Sequence, residues 1–313
     1  LDAIELIAAI RRSGQLPTND PSYTDAVILE EATQALIERF MEPVTALRQG
    51  YWLQRSTITA DPANTSGLYR LPARAVVQGV ELIEISTNGG ANYHPISLLT
   101  QTQSVGLNDN TQGTPHSYVL EGDCVRLLPA PNMALLIRFR YYLRPPELIT
   151  SVGPVCSVVS QPTANVIVVN TDPASEGIST STGLDIQDAD GSHEVVVVGA
   201  AITSITGAGP FTITLSDSSI FTGRVSVGDL VRAPDQAALP MLVRELHRPL
   251  ADYVAGVIRA SKGDKDKSAL LTQKAQNGID RVVSAAQPRV KNSPFVFRRN
   301  SYLRRNVGWG GGR

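Results

Sequence analysis

Apolar residues recur with a helical period at both ends of the chain and with a strand period between them. Ile4, Leu6, Ile7 and Ile10 predict a short helix over residues 1–12. A loop holding Gly14, Pro17, Asn19 and Pro21 follows. Ser22 or Thr24 then offers an N-cap oxygen, and Leu29, Leu36, Phe40, Val44 and Leu47 fall near one face of a helix to about residue 49. Pro43 lies inside that pattern and, lacking an amide donor, predicts a kink or break. Near the other end, Leu242, Leu246, Leu250, Tyr253, Val254 and Val257 stripe a helix over 241–261, which Pro249 should bend. Leu271, Ala275, Gly278, Ile279, Val282 and Ala286 stripe a last helix from 268 to about 287. None of the longer helices can bury its stripe alone, so they should pack together.

The middle of the chain reads as strands. Residues 51–60 and 75–87 are extended segments, with Asp61-Pro62-Ala63-Asn64 a turn between them. Asn88-Gly89-Gly90-Ala91-Asn92 is a strong hairpin turn, returning as a strand over 93–99. Residues 104–115 are a polar loop. Cys124-Val125-Arg126-Leu127-Leu128 and Leu135 to Tyr142 are then two strands across the turn cluster Pro129-Ala130-Pro131-Asn132, which predicts a β-hairpin. In the second strand Arg138 and Arg140 alternate with Ile137, Phe139 and Tyr141, the signature of a half-buried strand with a basic outer face. Pro145 and Pro146 cannot extend a ladder and end it.

From about Thr150 to Ala233, Val, Ile, Thr, Ser and Gly dominate and Lys is absent. Short strands between turn clusters predict a small β-barrel or β-sandwich set into a host domain. The fold class is therefore α+β, a helical bundle with attached β-hairpins and an inserted β-domain. The expected divisions are N-terminal bundle helices at 1–50, a β-region at 51–149, the insertion at 150–233, C-terminal bundle helices at 234–287 and an extended arm at 288–313.

Charge sharpens the picture of the arm. The whole chain of 313 residues carries a net charge of −1. Seven basic residues and no acid lie between Pro288 and Arg313, leaving 21 bases against 29 acids elsewhere, a net of −8. An acidic body with a basic tail is the pattern of an interaction arm. Arg298-Arg299 and Arg304-Arg305 flank Tyr302 and suit stacking on nucleic acid. The same segment also suits docking on an acidic protein surface, with Arg289, Lys291, Phe295, Phe297, Arg298, Arg299, Tyr302, Leu303, Arg304, Arg305 and Trp309 as its contacts. Its apolar content favours the protein partner.

Catalytic chemistry is sparse. His94, His116, His193 and His247 have no metal-ligand spacing, and His247, beside Arg248 on a helix, reads as a surface residue. Asp188-Ala189-Asp190-Gly191 lacks the acids that a calcium loop needs at Ile186 and Val197, so an Asx turn is its reading. No P-loop occurs. Cys124 and Cys156 form no disulfide framework and read as reduced thiols. Neither metal nor cofactor is implied, and the chain is not read as an enzyme. No apolar run reaches the length of a membrane span and no signal peptide is visible, so no membrane partner is expected.

Several motifs in order carry a resemblance. Ser22-Tyr23-Thr24-Asp25-Ala26 leads into a helix, Tyr69-Arg70-Leu71-Pro72-Ala73-Arg74 follows a strand, and Leu120-Glu121-Gly122-Asp123 precedes Arg140-Tyr141-Tyr142-Leu143-Arg144-Pro145-Pro146-Glu147-Leu148. This set resembles phage head-to-tail adaptor (connector or head-completion) proteins, including the adaptor-like tubular proteins of short-tailed phages. The likeness covers roughly 22–150 and 234–287. It implies a structural virion protein of the neck, assembled in the host cytoplasm. It also implies a ring of identical subunits, usually twelve, that joins the portal to the tail and encloses a channel for genomic DNA without sequence-specific binding. The arm would clasp the portal, and a tail nozzle or tube protein would lie below. The insertion at 150–233 is larger than the compact family pattern. A tail nozzle or other neck ring, and a basic-tailed nucleic-acid-binding module, are the alternative readings.

Overall fold

The computed structural model describes residues 1–18, 20–47, 50–104, 111–150, 155–190, 192–216 and 225–286. Helix α1 (Ala3–Gly14) opens with a capping box: Glu5 N–H donates to the Asp2 carboxylate at 2.7 Å, and Asp2 N–H donates back to Glu5 at 3.3 Å. Helix α2 (Asp25–Ala35) starts at the N-cap Thr24. It passes through a π-helical turn, Leu36–Phe40, into α3 (Met41–Leu47). This turn is the form the expected break takes. Pro43 has no N–H to give, and its ring would crowd the carbonyl of Arg39 in a regular helix; the wider turn beside it relieves that misfit.

Helix α4 (Gln101–Ser104) is a single turn. Helix α5 (His247–Ser261) begins later than the apolar pattern suggested, after a 3-10 turn at Arg244–Leu246. Pro249 therefore sits in the first helical turn, where an amide has no intrahelical partner, and it starts the helix instead of bending it. Helix α6 (Lys265–Ala286) is capped by Asp264, whose carboxylate accepts from Lys267 N–H at 3.2 Å. Helix α5 is the hub, packing on α1, α2 and α6. The stripes thus bury one another as their patterns required.

The strands in chain order are β1 (Leu53–Thr59), β2 (Leu68–Arg70), β3 (Ala75–Ser86), β4 (His94–Pro95), β5 (Ser97–Leu98), β6 (Gln112–Gly113), β7 (Ser117–Glu121), β8 (Cys124–Leu128), β9 (Ala130–Pro131) and β10 (Leu136–Leu143). They continue as β11 (Glu147–Leu148), β12 (Val158–Thr163), β13 (Val166–Val169), β14 (Leu184–Gln187), β15 (Val195–Ala200), β16 (Ile202–Thr206), β17 (Phe211–Leu215), β18 (Leu230–Arg232) and β19 (Gln236–Ala237). The central sheet has the order β1-β10-β3-β4 and is antiparallel throughout. Its inner residues Ile83, Ile85, Ile137, Phe139 and Tyr141 join the helices in one hydrophobic cluster.

The expected hairpin across Pro129–Asn132 does not form. Strand β8 pairs with β2 and β7, whereas β10 pairs with β1 and β3 in the other sheet. The turn between β7 and β8 is Gly122, at a φ of +62° that glycine tolerates. Segment 129–132 is a crossover, and its Ala130–Pro131 pairs in parallel with Gln112–Gly113. Two prolines without N–H groups suit a crossover as well as a turn. The strand expected over 93–99 is likewise split, β4 joining the central sheet and β5 the second.

Residues from Cys156 to Ala233 form two open sheets, β12-β13-β17-β16 and β15-β14-β18, around a second hydrophobic cluster. Among the described residues neither sheet closes into a barrel. Strands β11 and β19 pair in parallel, so the chain leaves and rejoins the first cluster at adjacent points. Both cysteines are free, Cys156 buried and Cys124 half-buried.

Candidate functional site

Strand β10 shows how one sequence makes both a core face and a polar outer face. Its side chains alternate strictly, with Ile137, Phe139, Tyr141 and Leu143 inward and Arg138, Arg140 and Tyr142 outward. Register places Arg138 opposite Glu84 on β3, and Nε lies 2.7 Å from the carboxylate. That guanidinium holds the Glu84 carboxyl below its ordinary range and stacks 3.7 Å from the centre of the Tyr93 ring. Arg140 pairs with Glu81 at 3.3 Å. On the flanking strand Arg55, Thr57 and Thr59 are exposed, with Arg55 opposite Arg140. The outer face of β10 is basic, as its alternation predicts, and Glu84 and Glu81 of β3 pair with its arginines, so the face of the whole sheet is mixed in charge.

A second assembly joins the two hydrophobic clusters. Tyr51 donates its hydroxyl to the Ser192 carbonyl, and Gln54 donates to the Val195 carbonyl at 2.8 Å. Gln187 donates to the carbonyls of His193 at 3.0 Å and Leu239 at 2.8 Å. Arg74 pairs with Asp185 and, at 3.1 Å, with Asp235, which also binds Arg144 at 2.6 Å. Asp185 is buried in an apolar strand, and that burial pushes its carboxyl upward against the pull of Arg74 and the Gly199 amide. A buried carboxylate without such partners would be costly.

His247 is buried, not on the surface as expected. Its ring lies 5.0 Å from that of His193 across the same junction. Nε2 is 3.1 Å from the Leu242 carbonyl and Nδ1 is 2.9 Å from the Leu1 nitrogen. Burial lowers its pKa from 6.5 to about 4. Burial lowers His193 as well. A helical position beside an arginine concealed this, because the helix turns His247 inward while Arg248 stays exposed.

Asp188 makes the predicted Asx turn, accepting from Asp190 N–H at 2.9 Å. Among the described residues, no group of three His, Cys, Asp or Glu side chains is placed to hold a metal, and no helix is long and apolar enough to cross a membrane. The arm residues Arg289, Lys291, Phe295, Phe297, Arg298, Arg299, Tyr302, Leu303, Arg304, Arg305 and Trp309 lie outside the described residues. What precedes them is α6, which carries the exposed Leu270 on its outer face.

The junction residues Arg74, Asp185, Gln187 and His193 were not singled out from sequence as a site. The available signal was the strand Leu184–Gln187, in which an acid and an amide sit among apolar residues and all four are buried.

Comparison with known proteins adds one match. A family model described as SU10 adaptor protein matches residues 1–165. The match takes in α1 to α4 and the strands through β12, and it ends beyond the start of the insertion. The C-terminal helices, also expected to share the likeness, lie outside it. No curated protein matches the chain.

Proposed function

The chain belongs to the SU10 adaptor protein family, and from that premise we propose that it is one subunit of a twelve-fold ring joining the portal to the tail. The single observation that carries this is the family match, which spans more than half of the chain. The ring sits in the virion neck after assembly in the host cytoplasm and encloses the channel through which genomic DNA passes.

The physics of the chain supports that role. Outside the arm the net charge is −8, and an acidic channel wall neutralises few phosphates, so DNA moves past it without being held. Rotational closure buries side chains such as the exposed Ile4 and Leu270 between neighbours. The arm at 288–313 reaches the portal, with Phe295, Phe297 and Trp309 as anchors and its arginines on acidic surface. One arm per subunit multiplies weak contacts into a durable joint.

The test is native mass spectrometry and negative-stain imaging of the protein with and without its portal, beside a variant cut after Gln287. The expected result is a ring on the portal that is lost with the arm. Failure of the full-length protein to bind the portal overturns the adaptor reading. A ring that forms without portal affinity favours a nozzle or other neck ring, a reading supported by the insertion lying mostly beyond the family match. The basic arm keeps a nucleic-acid module as the third reading, and steep loss of DNA affinity with salt is its mark.

A further inference from the structure

Among the described residues, strand β1 is a regular seven-residue edge strand whose one charged side chain is Arg55. Its register with β10 runs unbroken from Leu53 to Thr59. The other edges among the described residues are blunted. Strand β12 carries Pro162 and two register shifts, β15 and β16 carry irregularities, and β2, β4, β5 and β18 are only two or three residues long.

The ladder shows which groups of β1 have no partner among the described residues. Leu143 N–H donates to the Trp52 carbonyl and Ala60 N–H to the Leu135 carbonyl, each at 2.7 Å. Even-numbered residues therefore face β10, and odd-numbered ones face away. Arg55, Thr57 and Thr59 turn their N–H groups outward, and Leu53, Arg55, Thr57 and Thr59 their carbonyls. The Leu53 N–H is taken by Gly50 O at 3.2 Å. On the core side of the same strand Ser56 and Ile58 are only half-buried, so the rim of the main cluster is uncovered there.

A second β1 pairing here would close a two-fold dimer, not a ring, and among the described residues no other regular edge is available for head-to-tail pairing. The chain itself carries a fitting strand. Pro294-Phe295-Val296-Phe297-Arg298-Arg299 alternates so that Phe295 and Phe297 share one face. The arm also starts at the right end of the fold. Tyr23 bonds Ser261, Lys262 bonds Asp20, and Arg39 donates to Gln276 at 2.5 Å. These pairings set α2–α3 and α6 side by side in the same direction, with α3 touching α6. The end of α3 leads into Gly50 and β1, and the end of α6 leads into the arm. Residues 287–294 between them reach up to about 30 Å.

We propose that, in the free subunit, residues 295–299 of the same chain add to the outer edge of β1 as a further strand of the central sheet, with Phe295 and Phe297 over Ile58. Main-chain hydrogen bonds supply the affinity and the two rings the specificity. The arm then covers an aggregation-prone edge until a partner claims it. The inference rests on β1 and the arm alone and stands whether or not the portal binds.

Residue-resolved amide exchange on the portal-free protein tests it, comparing the full chain with the chain cut after Gln287. The amides of Arg55, Thr57 and Thr59 are expected to exchange about tenfold or more faster in the cut chain, with the even-numbered amides of β1 unchanged. Thr57→Pro removes one outward donor without touching the β10 ladder and is expected to give the same loss of protection at Arg55 and Thr59 in the full chain. Phe295→Asp with Phe297→Asp is a second variant that leaves β1 itself intact, and it too should release the three amides. Equal exchange in full and cut chains overturns the proposal. So does protection that disappears on dilution, since the strand then comes from a neighbouring subunit.

Discussion

His247 illustrates how one buried ring ties stability to pH. Its pKa is about 4 in the fold against 6.5 in an exposed chain. Between those values the unfolded chain binds the proton and the folded one does not, so stability rises with pH across that window. The contribution is present above about pH 6.5 and is lost as pH falls towards 4. At 1.36 kcal/mol per pH unit the loss amounts to at most about 3 kcal/mol. His193, lowered by burial 5.0 Å away, acts in the same direction. Urea midpoints at pH 7 and pH 4.5 should therefore differ more in the wild type than in His247→Phe, which keeps an aromatic ring there and removes the titration. Equal differences would show that groups other than His247, His193 among them, set the acid limb.

At the scale of elements, the approach of α5 to α6 depends on two glycines. A Cβ on Gly278 would lie 2.6 Å from Pro249 Cγ, and one on Gly256 would lie 2.9 Å from Thr272 Oγ1. Alanine normally favours a helix over glycine by about 1 kcal/mol. At Gly278 the rigid proline ring, fixed in the first turn of α5, leaves no room for that gain. Gly278→Ala is expected to lower stability by about 1–3 kcal/mol through overpacking, read as a lower thermal midpoint with unchanged helical content. The helices themselves were legible because their stripes are long and periodic, and Pro43 signalled a kink or break but not the π-turn Leu36–Phe40 that the chain adopts. Pairing was not legible. The alternation in β8 and β10 states which residues face inward but not which strand lies alongside, so two good strands with a proline turn between them read as a hairpin. The junction was equally hidden, because Arg74 and Asp185 are separated by 111 residues and meet only in the fold.

At the scale of the whole molecule, that junction decides whether the insertion behaves as an independent body. Two hydrophobic clusters exist, yet Val195 and Val198 of the insertion belong to the main one. Tyr51, Gln54, Gln187 and the Arg74–Asp185–Asp235 set bridge the same boundary. Removing one partner of a buried ion pair costs about 3–5 kcal/mol, since the remaining charge stays desolvated. An interface holding such a pair couples the unfolding of its two sides. The wild-type protein is therefore expected to unfold in a single transition, with calorimetric and van't Hoff enthalpies in agreement. Arg74→Met combined with Gln54→Ala strips Asp185 of its cation and the Val195 carbonyl of its donor. That variant should show two separable transitions, the first belonging to residues 155–233. Differential scanning calorimetry of the two proteins reads this directly, and a single transition in both would place the coupling in the shared apolar contacts of Val195 and Val198.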